Sequence, residues 1–303
     1  MYGVMKNRTA LLALLAAGLL WGLTVPLSKL SLEWLGPGWL TVARFVVAAP
    51  LLAYVGRAGL RSALTPSIAG AGAIGFGAVI LLQNVGIERT SVSHAALVVG
   101  AVPVLVALIA AGIGQGTTRP AAWTGYGLAL AGVAMVAGAG GAGATLGGDL
   151  LVLGSVTLSA AFIVAQPRLL AGRDPAAVTA VQFGAGGLVA LPVALLLEGA
   201  PPAPVAAGPV AALVALAFAG TLLPFWLFAY GQAHVPAELA GAFLNLEPLV
   251  GAAAGWIAFG ESAAAGQLLG AVVVLAGIAL STAPRRDPCD PPRRLRPLFG
   301  GAS

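Results

Sequence analysis

The chain has 303 residues, of which 59% are hydrophobic and only 8% are charged, and its mean hydropathy is +0.97. A soluble domain usually carries about 25% charged residues, so this composition excludes a soluble globular protein and indicates a polytopic helical membrane protein. The net charge of +5 does not indicate nucleic-acid binding, because the basic residues lie mainly in short loops and in the C-terminal tail.

Ten apolar blocks follow one another along the chain, each about 20 residues long and therefore able to cross ~30 Å of hydrocarbon as a helix. We predict helices at residues 9–30, 38–56, 67–87, 92–114, 120–139, 147–170, 176–197, 208–231, 237–259 and 264–283. Gly/Pro-rich joints separate most of them. Residues 284–303 are charged and rich in proline, so we expect them to form a disordered basic tail in the cytoplasm.

The placement of positive charge tests this count of helices. With the N-terminus in the cytoplasm, twelve of the fifteen Lys and Arg residues fall on the cytoplasmic side, and only Lys29 and Arg89 fall outside. The positive-inside rule therefore predicts ten spans with both termini in the cytoplasm. Arginine greatly outnumbers lysine, as is typical of high-GC bacterial genomes, so we expect the inner membrane of a bacterium.

An internal repeat relates the two halves of the chain. A fixed offset of 145 residues aligns Pro103 with Pro248 and "LAGVA" (130–134) with "LAGIA" (275–279). Each half, 9–139 and 147–283, then holds five helices, and an odd number of helices forces the halves into opposite orientations, as in many secondary transporters. The fold class predicted is all-α, with two inverted five-helix repeats. Similarity of composition alone is the other explanation of this alignment.

Glu247 is the carboxylate that the apolar stretch "GAFLNLEPLVGAAAGW" contains. It lies about ten residues into the ninth predicted helix, or ~15 Å, near the middle of the bilayer. Pro248 removes a backbone donor and loosens the helix around Leu244, and frayed backbone beside an ionisable group is typical of binding sites at this depth. We interpret Glu247 as a candidate for proton or ion coupling and Asn245 as a candidate for substrate binding. A purely structural carboxylate is the alternative.

Arg44 lies within the second predicted helix, about six residues from its outer end. Its guanidinium keeps its proton and needs water, an acidic partner or helix carbonyls. Three interpretations stay open: Arg44 anchors a substrate carboxylate, pairs with Glu247, or extends outward to the membrane surface. We expect Lys29, near the outer end of the first helix, to extend to that surface.

Four further residues are candidates for the lining of a binding cavity. Trp21 lies at mid-depth, where its indole N–H needs a partner. Gln83 and Asn84 lie near the outer end of the third helix and either line the cavity or are the first residues in contact with water. Tyr230, near the inner end of the eighth helix, either lines the cavity or belongs to an aromatic belt at the membrane surface.

Motifs of other protein classes are missing from the sequence. His94 and His234 fall near opposite membrane faces, without acidic or cysteine neighbours at ligand spacing, so we predict no metal site. The sequence has neither a phosphate-binding GxxxxGK[ST] loop nor a Gly-x-Ser-x-Gly nucleophile motif. We therefore predict no cofactor and no enzymatic activity.

Several short motifs, in their order and spacing across the ten spans, resemble the EamA-type exporters of the drug/metabolite transporter superfamily. The resemblance covers about residues 9–283 and is carried by Trp21–Gly22 with Pro26 and Lys29, Arg44–Phe45, Ala95–Leu97 with Pro103, Glu247–Pro248, Gly260–Glu261, and Leu269–Ile278. It implies two inverted EamA repeats around a cavity that opens alternately to each side. The first repeat departs from the pattern, with Gly114–Gly116 ("GQG") where the second has "GE".

The function expected from these features is secondary transport. We predict an exporter of a small amino-acid-like or amphiphilic metabolite that works by alternating access, with proton coupling as one option. The alternatives are an exporter of lipophilic drugs and a passive channel or facilitator. The expected partners are a small-molecule substrate and membrane lipid, without nucleic acid. Small-residue steps such as Gly251–Gly255 serve either packing within the chain or dimerisation, so a monomer and a homodimer both stay open.

Overall fold

The structure, a computed structural model, describes residues 2–114, 120–139, 143–204, 206–232, 243 and 246–282. These residues form helices and connecting turns, and none of them forms a strand. The predicted tail (284–303) and residues 237–242, 244 and 245 of the ninth predicted helix lie outside the described residues. The described helices confirm the all-α fold class.

Ten membrane-crossing helices follow the predicted order. Their bounds are α1 Tyr2–Gly22 continued by Thr24–Ser31, α2 Pro37–Val55, α3 Pro66–Gly72, Ala73–Ala78 and Val79–Arg89, α4 Val92–Val99 and Val102–Gly112, α5 Pro120–Gly138, α6 Leu146–Leu170, α7 Pro175–Val193 and Ala194–Glu198, α8 Ala207–Ala217, Phe218–Leu222 and Leu223–Gln232, α9 Leu246–Ala258 and α10 Ala265–Thr282. Seven are long and apolar enough to cross a bilayer over their described length, and the described apolar parts of α5, α9 and α10 are shorter. A four-residue helix, Leu60–Ala63, lies between α2 and α3.

Local sequence signals fix many of the helix ends. The side chains of Thr65, Ser91, Thr145 and Asp174 each accept a hydrogen bond from the backbone N–H three residues on, and so cap α3, α4, α6 and α7. Pro37, Pro66 and Pro175 occupy the first turn of their helices, where a missing N–H costs nothing. Gly172 and Gly199, which follow α6 and α7, have positive φ angles of 69° and 74°, a conformation that glycine adopts without strain.

The packing of the helices has the symmetry expected of two inverted repeats. Helices α2 and α7, α4 and α9, and α5 and α10 pack against each other as pairs of equivalent helices. Helix α1 packs against α8, and the equivalent pair, α6 and α3, packs in the same way. Exchanging the two repeats therefore maps the set of helix contacts onto itself. We name the two ends of the bundle after their turns, the α3–α4 end and the α6–α7 end.

Glycines at the α5–α10 contact show this symmetry at the level of single residues. A Cβ on Gly132 of α5 would lie 2.8 Å from the carbonyl oxygen of Gly270, and a Cβ on Gly277 of α10 would lie 2.6 Å from that of Gly125. The offset of 145 residues that relates Gly132 to Gly277 also relates Gly125 to Gly270. The two backbones approach so closely that neither position has room for a side chain.

The same offset relates two irregular segments at the centre of the bundle. Residues Ala73–Ala78 of α3 and Phe218–Leu222 of α8 are each wound as a π-helix, a feature that is often found at functional sites. Helix α4 is interrupted at Gly100 and Ala101, one turn before the end of the contact with α9. All three irregularities lie next to the cavity described below.

The small-residue step of α9 is used within the chain. A Cβ on Gly251 would lie 2.5 Å from the Cβ of Ala96 in α4, and one on Gly255 would lie 2.7 Å from the backbone nitrogen of Ser93. These glycines therefore let α9 pack closely on α4. The packing interpretation of this step agrees with the structure.

Candidate functional site

A cavity of about 690 Å³ lies between the two repeats. Helices α1 to α4 supply one side of its wall and α6 to α9 the other, and α5 and α10 supply none of its described lining. Pro167 and Leu170 at the end of α6 and Thr179 at the start of α7 line it, so the cavity extends from the middle of the bundle to the α6–α7 end.

Aromatic rings form two walls of this cavity. The Trp21 ring contacts those of Phe225 and Phe228 edge-on, with ring centroids 5.2 Å apart in both pairs. A second cluster packs Phe76 against Phe162 and Phe183, at 5.1 and 4.7 Å. Such edge-to-face pairs are the favoured geometry of aromatic rings. The walls can therefore contact a flat or apolar group over a large area.

Glu247 lines the cavity from α9. Its carboxylate has no hydrogen-bond or ion-pair partner among the residues that the structure describes. Pro248, the next residue, packs against the interruption of α4, since a Cβ on Gly100 would lie 2.8 Å from the Cβ of Pro248. The carboxylate is thus beside a broken helix at mid-depth, the arrangement that many transporters use to bind ions or polar groups.

Arg44 lines the same cavity from α2 and is only 7% exposed. Its Nε donates a hydrogen bond of 2.7 Å to the hydroxyl of Thr221, and its Nη2 donates one of 3.3 Å to the carbonyl of Gly220. Both acceptors belong to the π-helical segment of α8. Arg44 therefore turns inward to the cavity, which excludes an outward extension to the membrane surface in this conformation.

Arg44 and Glu247 do not pair with each other. Within the described ranges no carboxylate lies in salt-bridge distance of Arg44, and the one ion pair found joins two other residues. Two of the five N–H groups of the guanidinium have protein partners there, which leaves three for a ligand. The cavity thus holds one cation and one carboxylate that are both without a charged partner.

Gln182 is the residue of α7 that corresponds to Arg44. The equivalence rests on a motif that sequence reasoning missed, P-x-x-x-T-x-x-(R or Q)-F, which starts α2 at Pro37 and α7 at Pro175. Thr41 and Thr179 each donate a hydrogen bond to the carbonyl of the motif's proline. The rings that end the two motifs, Phe45 and Phe183, meet with centroids 4.9 Å apart.

A pair of amides joins α6 to α7. The Gln166 amide donates to the Gln182 carbonyl at 3.0 Å and accepts from the Gln182 amide at 2.9 Å. Gln182 is fully buried, whereas Gln166 lines the cavity. Ser155 and Ser159 line it from the same helix as Gln166, so α6 presents a polar stripe that leads from mid-depth to the α6–α7 end.

The remaining candidates from the sequence have different positions. Trp21 and Gln83 line the cavity. Asn84 is not part of the lining, because it is 1% exposed and donates a hydrogen bond of 3.0 Å to the Thr41 hydroxyl, which ties α3 to α2. Asn245 lies outside the described residues, and so does the side chain of Tyr230.

The α3–α4 end of the bundle is closed by buried polar contacts. His94 of α4 pairs with Asp149 of α6, with 2.9 Å between Nδ1 and Oδ2. The other carboxylate oxygen of Asp149 accepts a hydrogen bond from the Thr90 hydroxyl. Lys29 donates three hydrogen bonds, to the carbonyls of Ile87, Glu88 and Thr90. The expectation that Lys29 extends freely to the surface is therefore wrong, since its ammonium group binds the end of α3.

Two glutamates of the second repeat hold helices of the first repeat at this same end. Glu261 accepts hydrogen bonds from the backbone N–H groups of Val92 and Ser93, where α4 begins. Glu198 does the same for Gly38 and Trp39 in the first turn of α2. A carboxylate at a helix N-terminus satisfies free N–H groups and is stabilised by the helix dipole. With Asp149, three carboxylates of the second repeat bind the first repeat here.

No group of three or more His, Cys, Asp or Glu residues that could hold a metal ion exists in the described part of the chain. The chemistry of the cavity is therefore discussed for an organic solute and for protons.

Comparison with known proteins places this architecture in a family. The model of the EamA-like transporter family matches residues 8–138 and 146–283. The chain belongs to the EamA-like transporter family. Both copies of the family's repeat are thus present, and the membership supports the drug/metabolite transporter superfamily, a multi-pass membrane location and a role in transport.

Two relatives of this EamA protein match along almost the whole chain. An "Uncharacterized transporter" of Archaeoglobus fulgidus is 27% identical over 288 residues, covering 92% of this chain and 99% of the relative. A "Probable terminal-alkyne amino-acid exporter" of Streptantibioticus cattleyicolor is 29% identical over 300 residues, covering 96% and 100%. One crystal structure superposes with a TM-score of 0.66 at 21% identity, over 91% of this chain and 96% of the other, which shows a shared fold.

Proposed function

We propose that this EamA transporter exports a small amino-acid-like or amphiphilic metabolite by alternating access. The observation that carries the proposal is the pair of unpartnered charges, Arg44 and Glu247, on the wall of a single mid-depth cavity. Isolated charges in the membrane are costly and usually mark the path of a substrate or ion.

The two charges complement a zwitterion. A substrate carboxylate would use the free N–H groups of Arg44, and planar two-point binding of a carboxylate is what a guanidinium favours. A substrate ammonium group would bind the Glu247 carboxylate. The aromatic rings around Trp21 and Phe76 would then receive an apolar side chain.

Two further polar groups extend the set of contacts available to a solute. The hydroxyl of Thr24, on the cavity wall, is buried and has no hydrogen-bond partner among the described residues. Gln166 can exchange its bond to Gln182 for one to the solute, because an amide offers both a donor and an acceptor.

Proton coupling follows if a proton and the substrate compete for Glu247. A substrate ammonium group needs the carboxylate in its charged form, whereas protonation removes that charge. The two ligands then exclude each other, so that Glu247 binds substrate on one side of the membrane and a proton on the other. Such exclusion couples export to proton entry without a second ion site.

The orientation of the transporter is part of the proposal. We place the α6–α7 end in the cytoplasm of a bacterium, because Arg57, Arg61, Arg168 and Arg173 lie at that end. Both termini are then cytoplasmic. The cavity of this conformation opens to the cytoplasm, where an exporter takes up its substrate.

The relative from Streptantibioticus cattleyicolor supports an amino-acid-like substrate, because its name states export of a terminal-alkyne amino acid. The aromatic walls favour a second candidate, an exporter of lipophilic compounds. The two candidates differ in what they require of Arg44 and Glu247, since a neutral lipophilic solute has no group for either charge. A passive facilitator would lack the ability to concentrate its solute.

Binding measurements on the purified protein test the substrate class. We would compare phenylalanine with its amide and with its N-acetyl derivative, which lack the carboxylate and the ammonium charge respectively, in a thermal-shift and a calorimetric titration. The proposal expects the zwitterion, or another amino acid of the same series, to bind at least about tenfold more tightly than either derivative. Equal binding of all three forms would favour the lipophilic candidate.

A further inference from the structure

The paired side chains of His94 and Asp149 lie apart from the cavity and have no role in the proposed chemistry. Both are almost completely buried, at 0% and 2% exposure. Nδ1 of His94 and Oδ2 of Asp149 are 2.9 Å apart, and the Thr90 hydroxyl occupies the other carboxylate oxygen at 2.5 Å. An imidazole and a carboxylate at this distance share a proton.

This pair bridges the two repeats. His94 and Thr90 belong to the first repeat, at the turn between α3 and α4, and Asp149 belongs to the first turn of α6 in the second repeat. In an inverted-repeat transporter, opening the α3–α4 end requires the repeats to move apart there. The contact between His94 and Asp149 therefore forms only while this end is closed.

The charged groups that surround the pair are few. Lys29 of α1 binds the carbonyl of Thr90 at 2.7 Å, so it approaches the pair through that residue. Glu261, between α9 and α10, binds the backbone of Val92 and Ser93 just before His94. Glu88 and Arg89 of α3 are exposed to the outside of the bundle. Among the described residues no other charged side chain comes from the helices that pack on the pair.

We propose that His94 and Asp149 form a proton-binding site that latches the outer end of the transporter. The pair takes up one proton from the outer solution when the α3–α4 end closes, and returns it to the same solution when that end opens. This inference rests on the alternating access of the proposed function, but it does not involve Glu247 or the substrate.

The sign of the pH dependence follows from counting protons. In the closed state the buried pair holds one proton between the imidazole and the carboxylate. In the open state both groups face water, where histidine releases its proton above about pH 6.5 and aspartate above about pH 3.9. Between about pH 6.5 and 8 the closed state thus binds more protons than the open state, and a higher pH favours opening.

The proton of the latch is not a coupling proton. It comes from the outer solution and goes back to it, so it does not change the number of protons that cross the membrane per substrate. The latch instead sets how readily the outer end opens at a given external pH. This property separates the latch from coupling at Glu247, which changes the stoichiometry.

Distance measurements between spin labels test the latch. Labels at Glu33→Cys in the α1–α2 turn and Leu146→Cys at the start of α6, both exposed positions at the α3–α4 end, would be attached to a Cys289→Ser background in lipid nanodiscs. Pulsed electron-spin distances would be recorded at several values between pH 6.5 and 8. The label distance does not itself depend on pH, unlike a chemical labelling rate.

The expected result is two distances whose ratio depends on pH. The longer, open distance should gain population by up to about tenfold per pH unit, the limit for one proton. His94→Asn keeps a donor for Asp149 but cannot titrate, so the ratio should become independent of pH. Asp149→Asn should also remove the dependence, and provides the second test if His94→Asn does not fold.

Glu261→Gln is the matched control, because it weakens another contact at the same end without changing the pair. It should raise the open population at every pH and keep the slope. A slope in His94→Asn and Asp149→Asn equal to that of the unsubstituted protein would overturn the latch and leave alternating access intact. A single distance at all pH values, in the unsubstituted protein and in Glu261→Gln, would contradict the alternating access on which both proposals rest.

Discussion

Arg44 and Gln182 occupy equivalent positions in the two repeats, and each turns its side chain to a different neighbour. Arg44 binds the π-helical segment of α8, and Gln182 binds Gln166 of α6. One equivalent site thus carries a positive charge and the other a neutral amide. This difference makes the cavity chemically asymmetric although the helices around it are arranged symmetrically, and an asymmetric cavity can bind a solute in one orientation.

Arg44→Gln gives both repeats the same residue and removes the charge. We expect it to weaken binding of a zwitterionic substrate by about 1.5–3 kcal/mol, the usual contribution of a hydrogen bond to a charged group, or roughly 10- to 150-fold in Kd. Binding of the substrate's amide, which lacks the carboxylate, should change little. Calorimetric titration measures both. Arg168→Gln, at the exposed end of α6, is the control, and equal losses for both ligands would point to a structural role of Arg44.

The amide pair offers a double-mutant test of packing. Gln166→Leu leaves the fully buried Gln182 amide without its partner, and we expect a loss of about 1–3 kcal/mol in the free energy of unfolding. The double variant Gln166→Leu/Gln182→Leu replaces both amides with apolar groups of similar size and should recover most of that loss. Unfolding in mild detergent measures this. A double variant as unstable as the sum of the single variants would show that the two amides do not act as a pair.

The glycine contact between α5 and α10 predicts equal effects at equivalent positions. Gly132→Ala and Gly277→Ala each place a Cβ within 3 Å of the facing backbone, so both should lower the melting temperature and the yield of folded protein by similar amounts. Gly127→Ala, on α5 with nothing within 4 Å of the new Cβ, should have no such effect and is the control. A large difference between Gly132→Ala and Gly277→Ala would contradict the two-fold relation of these helices.

The orientation can be tested by labelling from each side of the membrane. With Cys289→Ser as background, we expect Thr179→Cys, on the cavity wall next to the α6–α7 end, to react with an impermeant thiol reagent from the cytoplasmic side. Leu146→Cys, 61% exposed at the opposite end, should react only from the outside. The reverse pattern in intact cells and inverted vesicles would contradict the proposed topology.

Much of the fold could be predicted because local signals are strong in this sequence. The second helix, expected at 38–56, runs from Pro37 to Val55, since a proline in its first turn and a long apolar run define it. The repeat was visible in α3 to α5 and α8 to α10 at one offset. The relation of α2 to α7 was missed because α7 and the linker after it are longer than α2 and its linker, which changes the offset.

The polar contacts could be predicted less well, because they depend on helix rotation and on residues distant in sequence. Gln83 and Asn84 are neighbours, but a helix turns 100° per residue, so that one lines the cavity and the other binds Thr41. His94 and Asp149 are 55 residues apart, and no ligand spacing in the sequence connects them. A polar residue in the first turn of an apolar helix, such as Asp149, is the signal that could have suggested such a contact.

Flux through Glu247→Gln in proteoliposomes tests the central claim most directly. The unsubstituted protein should accumulate its amino-acid-like substrate against a concentration gradient when a pH gradient is imposed. Glu247→Gln keeps the shape of the side chain but cannot exchange a proton, so accumulation should be lost while exchange of labelled for unlabelled substrate at saturating concentration continues. Full gradient-driven accumulation in Glu247→Gln would contradict the account.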